Sequence, residues 1–160
     1  MPGGLPARYV AVIGAGEADP KVAALAREVG RELARRGAIV ICGGLGGVMA
    51  AAAKGVQDEG GVSLGILPGQ DRGLANPHLT YAIPTNLGHA RNVVIAHAAD
   101  AVIAVGGSYG TISEAAIALK LGKPVVALGT DWSLPRLKTA HTPQEAVALA
   151  FEAFRTTNPR

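Results

Sequence analysis

Short runs of purely apolar residues alternate along this chain with longer stretches whose apolar side chains return every three or four positions. The short runs suit strands buried on both faces, and the longer stretches suit helices that bury one stripe. Tyr9 to Ile13 opens the series as a strand running into Gly14-Ala15-Gly16. Asp19 before Pro20 predicts a helix start, a capping carboxylate followed by a residue whose missing N–H is no loss in the first turn. Val22, Leu25, Ala26, Val29 and Leu33 hold one stripe until Gly37. Ala38 to Cys42 is a second strand ending in Gly43-Gly44-Leu45-Gly46-Gly47, and an alanine-rich helix follows over roughly Val48 to Asp58. Val62 to Ile66 reads as a third strand stopped by Leu67-Pro68-Gly69, Gln70 to His78 as a polar surface loop, and Leu79 to Ile83 as a short strand. A helix over Leu87 to Ala98 leads to a strand at Ala101 to Val105, then to Gly106-Gly107-Ser108-Tyr109-Gly110-Thr111. Ile112, Ala115, Ala116 and Leu119 mark the next helix, which ends at Gly122, and Pro124 to Leu128 is the last clear strand. Thr142-Pro143-Gln144-Glu145 has the form of a capping box opening a C-terminal helix to about Phe154, with a frayed tail beyond it.

Strand, loop and helix in repeated succession imply right-handed crossovers and a parallel sheet, an α/β Rossmann-like doubly wound fold. Ligands of such sheets sit beyond the carboxyl ends of the strands. Three glycine-bearing loops fall there: Gly14 to Gly16, Gly43 to Gly47 and Gly106 to Gly110. Function is expected at these loops.

Composition narrows the picture further. At 160 residues the chain is expected to be one domain over 1–160. Hydrophobic residues are 49%, charged residues 17% and mean hydropathy is +0.28, which excludes a disordered chain. The single cysteine, Cys42, excludes a disulfide scaffold and a multi-cysteine zinc site, and fits a small buried residue at a strand end. No apolar run reaches the length of a membrane span, and Met1-Pro2-Gly3-Gly4-Leu5-Pro6 is no signal peptide, so a cytoplasmic protein is expected. Net charge is +3, yet Arg27, Arg31 and Arg35 have Glu28 and Glu32 beside them, with Glu32 and Arg36 at the favourable i, i+4 spacing. No aromatic residues interleave with these arginines, so a solvated helix face is expected and nucleic acid is not. His78, His89, His97 and His141 offer no metal spacing, and in one helix His89 and Arg91, two apart, would point to different sides.

Glycine lets backbone N–H groups approach an anion, and a following helix N-terminus adds donors and a favourable dipole. A dinucleotide-binding G-x-G-x-x-G fails, because Asp19 stands at its third glycine and Cys42-Gly43 replaces the acidic residue after strand two. A Walker loop fails because no lysine follows Gly46-Gly47. The third loop is more specific: Gly106-Gly107-Ser108-Tyr109-Gly110-Thr111-Ile112-Ser113-Glu114 resembles the P-G-G-x-G-T-x-x-E signature of the LOG-like proteins. Arg91 stands upstream of Glu114 at that family's spacing, and Cys42 to Met49 and Gly65 to Gly69 are similar to its second loop and the strand end after it.

The resemblance implies a phosphorylated small molecule as ligand and, for the family's cytokinin-activating members, hydrolysis of a nucleoside 5′-monophosphate to base and ribose 5-phosphate. The family name "lysine decarboxylase" is set aside. Pyridoxal chemistry needs a Schiff-base lysine near the loops, and Lys54, Lys120 and Lys123 lie within or at the far ends of helices. The sequence departs from that signature at Gly106 (proline in the signature), Ser108 (glycine) and Asn92 (commonly lysine), and Asn76, Arg91-Asn92 and Asp100 resemble a sister branch that includes the molybdenum-cofactor carrier proteins. Asp100 itself, before a strand, belongs to the wrong sheet end for a site.

Two functions therefore stand open: a phosphoribohydrolase, and a non-catalytic carrier or sensor of a phosphorylated molecule such as molybdenum cofactor. Neither requires a resident cofactor. For either, Gly107 to Thr111 would anchor phosphate through backbone donors and the Ser108 and Thr111 hydroxyls, with Gly14, Gly16, Gly43, Gly44, Gly46, Asn76, Asn92, Tyr109 and Gly110 around the ligand. For hydrolysis, Glu114 would stabilise the oxocarbenium or activate water, and Arg91 would hold phosphate or orient Glu114 by a bidentate contact. The local pattern offers two plainer roles: Thr111-x-x-Glu114 as a capping box, and Arg91 as a surface arginine. Self-association is expected from the resemblance and from more apolar helix than one small sheet can cover.

Overall fold

The computed structural model describes residues 6–156; the expected frayed tail lies largely outside the described residues, as does most of the N-terminal stretch. Seven strands form one sheet: β1 (Tyr9–Gly14), β2 (Ile39–Cys42), β3 (Val62–Leu67), β4 (Tyr81–Pro84), β5 (Ala101–Val105), β6 (Val125–Leu128) and β7 (Lys138–Ala140). Five helices connect and follow them: α1 (Pro20–Arg35), α2 (Val48–Asp58), α3 (Arg91–Ala98), α4 (Tyr109–Lys120) and α5 (Pro143–Thr156). Every pairing is parallel, and the order across the sheet is β4-β3-β2-β1-β5-β6-β7. This is a Rossmann-like α/β fold, as the alternation predicts.

Alternation of side chains along a strand divides the core in two. Val10 and Val12 of β1, with Ile103 and Val105 of β5, pack under α1, α2 and α5. Ala11 and Ile13, with Val102 and Ala104, pack under α3 and α4. The order of strands reverses between β1 and β5, and their crossovers leave to opposite faces. That is the topological switch point, where such sheets hold their ligands.

Four local readings need correction. A seventh strand, β7, was not visible in the pattern, because three residues at a sheet edge with Lys138 and Thr139 exposed carry no period. The fourth strand begins at Tyr81, since Leu79 turns inward against Gly65 instead. The helix expected from Leu87 is a 3-10 turn, Gly88–Ala90, followed by α3. Gly88 has φ 58°, a backbone conformation that cannot lie inside a right-handed α-helix, so α3 begins only after it. The pair expected between Glu32 and Arg36 does not form: Glu32 bonds Arg35 at 2.5 Å, and Arg36 lies over the Phe151 ring. The other arginines of α1 reach across to α2, Arg27 to Asp58 at 2.8 Å and Arg31 to Glu59 at 3.1 Å. They neutralise a helix seam and leave no basic stripe.

That seam is close enough to demand glycine. A Cβ at Gly30 would meet the Ala52 carbonyl, and one at Gly55 would meet the Arg27 carbonyl. Gly55→Ala gains about 1 kcal/mol of helix propensity but forces the helices apart, an overpacking cost of about 1–3 kcal/mol. A net loss of stability is expected in urea unfolding, and a rise would show that the seam has room.

Candidate functional site

The turns that leave β1, β2 and β5 surround a cleft of about 400 Å³ at the switch point. Gly14 and Gly16 line it from the first turn and Gly43 from the second; Ser108, Gly110, Thr111 and Glu114 line it from the third, and Arg91 from α3. Eight of the expected site residues thus come together. Val12, Ile13, Leu45 and Met49 give the same cleft an apolar part.

The third turn is built to leave its amides open. Gly107 has φ 85° and lies so close to Thr111 that no side chain fits there. Ser108 is the N-cap of α4, yet its hydroxyl caps nothing. By contrast α1 is capped by Asp19, which accepts from the Val22 N–H at 2.8 Å, and α5 by Thr142, which accepts from the Glu145 N–H at 3.1 Å. The start of α2 has no side-chain cap either, but its first amide, that of Val48, donates to the Ala15 carbonyl at 3.0 Å. Thr111 is 4% exposed, and its hydroxyl makes no hydrogen bond among the described residues although it lines the cleft. An uncapped helix start beside an unpaired hydroxyl that opens onto the cleft is an arrangement an anion would complete. Because α4 begins at Tyr109, Thr111 is its third residue, and the capping box of Thr111 with Glu114 does not form.

Arg91 is more than a surface arginine. Its Nη1 donates to the carbonyls of Gly43 at 2.5 Å and Ile66 at 2.6 Å, and its Nε donates to Asn92 Oδ1 at 2.6 Å. The guanidinium therefore ties the end of β2 to the end of β3. No bidentate contact joins it to Glu114, which it influences only through its charge. Half-buried in the cleft, the Glu114 carboxyl is pushed up to about 7 by burial, with the Arg91 charge pulling the other way. Burial also lowers the Arg91 guanidinium from its ordinary value, opposed by Glu114. Cys42 is buried behind the site and its thiol is pushed up to about 11 by burial, so it stays protonated and unreactive.

The remaining expected residues surround the cleft without lining it. Asn76 buttresses the second turn, its Nδ2 donating to the Leu45 carbonyl at 3.0 Å and its N–H to the Gly44 carbonyl at 2.9 Å. Asn92 holds Arg91. Gly44 is buried, Gly46 is exposed, and Tyr109 stands 88% exposed at the start of α4. Asp100 is at the opposite rim, as expected, accepting from the Tyr9 N–H at 2.8 Å. Helical spacing would turn His89 away from Arg91, yet both line the cleft. His89 belongs to the 3-10 turn and Arg91 to α3, so a single 100° step does not relate them. The Gly88 that breaks the helix was the available signal.

Gly106, where the LOG-like signature has proline, also has a physical reason. It sits at φ 58° and its N–H donates to the Leu128 carbonyl at 2.9 Å; proline permits neither. Its own carbonyl accepts from Trp132 Nε1 at 3.3 Å, which ties the segment after β6 to the third turn.

Comparison with known proteins agrees with this geometry. An uncharacterized protein of Archaeoglobus fulgidus is 49% identical over 138 residues, 86% of this chain and 91% of that protein. The molybdenum cofactor binding protein of the phototrophic bacterium Rippkaea orientalis superposes with a TM-score of 0.89 at 32% identity, over 96% of this chain and 100% of that one. The molybdenum cofactor carrier protein of Chlamydomonas reinhardtii gives 0.88 at 31% identity, over 94% and 100%. These likenesses bear out the kinship with the LOG-like superfamily on the side of its carrier branch. With residues 7–155 matching the family's pattern, the chain belongs to the SLOG cluster4 family.

Proposed function

We propose that this chain binds and carries a small molecule with a terminal phosphate, of the molybdenum-cofactor kind that the names of its structural relatives specify. The observation that supports this most is the uncapped start of α4 with the unpaired Thr111 hydroxyl open to the cleft beside it. Phosphate would take the first-turn amides and the Ser108 and Thr111 hydroxyls, and the flat ring system would lie along Val12, Ile13, Leu45 and Met49. Charge-assisted bonds of this type are shorter and roughly twice as strong as neutral ones. A carrier needs no bond broken. In this reading Arg91 keeps the cleft at its width by tying Gly43 to Ile66, and the protein works in the cytoplasm without a resident cofactor.

One observation favours a second reading. A carboxyl with a pKa about 7 in a phosphate cleft suits general acid–base work, so Glu114 would activate water against the anomeric carbon of a nucleoside 5′-monophosphate. Release of free base from the common nucleoside monophosphates, lost in Glu114→Gln while binding persists, would establish the hydrolase. No release from any of them leaves the carrier.

Gly110 offers the cleanest test of the anion seat. A Cβ there meets nothing within 4 Å, so Gly110→Asp fits and places a carboxylate where the phosphate would sit. Aspartate is also favourable in a first helical turn, by about 0.3–1 kcal/mol. The variant should fold at least as well as the parent and lose phosphate-ligand binding by a factor of about 100 or more. Trp132, bonded to Gly106 and the only tryptophan, supplies the fluorescence readout. Undiminished binding would remove the α4 start from the site.

Glu114 also fixes a pH dependence. Folded, it keeps its proton up to a pKa about 7; unfolded, it releases it near 4.5. Between those values the folded state binds more protons, so this group's stabilisation is lost as pH rises through the window. Glu114→Gln should exceed the parent at pH 8 by an amount on the order of 1–3 kcal/mol and match it at about pH 4. Urea midpoints at the two pH values read this directly, and an equal difference at both would mean a solvated carboxylate.

Self-association is part of the same proposal. Tyr81 and Ile83 on edge strand β4, Leu87 beyond it, and Val93 and Val94 of α3 are large apolar residues left exposed. Sedimentation at micromolar concentration should show a dimer or higher; monomer alone would refute it.

A further inference from the structure

A second cavity, of about 440 Å³, lies at the opposite rim of the sheet. It is bounded by the residues before β1, the turn from α1 into β2, and the last turns of α5. Among the described residues, Arg8, Arg36 and Arg155 line it together with Ala38, Phe151 and Phe154, and no carboxylate does. Among the described residues these three arginines make no ion pair and donate no side-chain hydrogen bond. On α1, by contrast, Arg27, Arg31 and Arg35 each hold a carboxylate.

Two of the three guanidinium groups are already positioned. Arg8 lies 4.7 Å from the Phe154 ring centre and Arg36 lies 5.2 Å from that of Phe151, while the rings meet edge to face at 5.3 Å. Stacking uses the flat face of a guanidinium and leaves its N–H edge for acceptors. It also limits rotamers, so less freedom is lost when an anion arrives. Helix ends set the competing effect. α1 and α5 both terminate here, and each carboxyl end carries roughly half a negative charge. Half a charge at each end cannot balance three guanidinium groups, and Arg8 belongs to neither helix. An excess of roughly two positive charges remains.

We infer that this cavity binds a compact polyphosphate anion, one with two or more linked phosphates, independently of the cleft at the switch point. The shared chemistry could be delivered as free inorganic triphosphate or as a nucleoside diphosphate.

Calorimetry on the full chain at about 0.15 M salt, where nonspecific charge attraction is screened, tests it with tripolyphosphate, ADP and inorganic phosphate. One-to-one binding of tripolyphosphate or ADP is expected, with inorganic phosphate much weaker. Equal affinity for the first two means that the linked phosphates alone are read; tighter ADP means that the nucleoside is read as well. Either supports the site. Arg8→Gln and Arg36→Gln should each weaken binding about tenfold or more, Arg36→Lys should restore only part of the loss, and Gly110→Asp should leave binding unchanged. The three arginines are exposed, and thermal unfolding confirms that the variants fold. No saturable binding up to about 1 mM would overturn the inference. So would equal affinity in the arginine variants, or binding of an acidic peptide as tight as that of triphosphate. Loss in Gly110→Asp alone would overturn it too, since it assigns the polyphosphate to α4 and leaves the carrier reading intact.

Discussion

β1 and β5 lie side by side with Gly14 in register with Val105, yet the helices that follow them leave to opposite faces of the sheet. Neither crossover can roof the turns at these strand ends, so the turns stay open to solvent and to each other. An open turn has unpaired amides, and such groups need a partner. At the end of β1 the Ala15 carbonyl accepts from Val48, which spends one donor of α2 inside the protein. At the end of β5 nothing comparable happens. The α4 start keeps its donors because Gly107 turns the chain sharply and Ser108 does not cap it. An open rim at these strand ends follows from the order of the strands before any particular side chain is considered.

Arg91 shows how one side chain serves that geometry. Two carbonyls from neighbouring strand ends, Gly43 and Ile66, converge on its Nη1. Without the guanidinium they would face one another as uncompensated dipoles beside a half-buried carboxyl. The same bonds explain why Arg91 is a poor clamp for Glu114: its Nε and Nη1 are engaged elsewhere. A guanidinium that organises backbone, and a carboxyl that burial leaves half-protonated near neutrality, describe a site better suited to holding a ligand than to stabilising a cation in it.

The fold was legible because buried parallel strands read as continuous apolar runs and their helices as stripes, with Asp19-Pro20 and Thr142-Pro143 marking two starts. β7 was not, since a three-residue edge strand has no period to show. The site was legible in its loops, whose glycines must follow strands, and in Arg91 with Glu114, whose separation was a family signature. What those two residues touch was not legible. Arg91's carbonyl partners come from residues 48 and 25 positions away, and no local pattern encodes them. His89 was misplaced because helical periodicity was extended through Gly88, whose backbone lies in the left-handed region.

Gly106 carries the argument between carrier and hydrolase furthest. In the LOG-like signature this position is proline, which fixes φ near −65° and offers no N–H. Here φ is 58°, the N–H is bonded to Leu128, and the carbonyl is held by Trp132. The turn therefore enters Gly107 from a different backbone direction, anchored to β6 and the segment behind it, while the start of α4 after it remains without a side-chain cap. Anion binding survives such a change because it needs only open donors. Positioning a carboxylate against an anomeric carbon is more demanding, since misplacement of about 1 Å can cost a hundredfold in rate. In the proposed carrier, a chain that keeps the donors but re-anchors the turn would keep the part suited to phosphate and relax the part that hydrolysis would depend on.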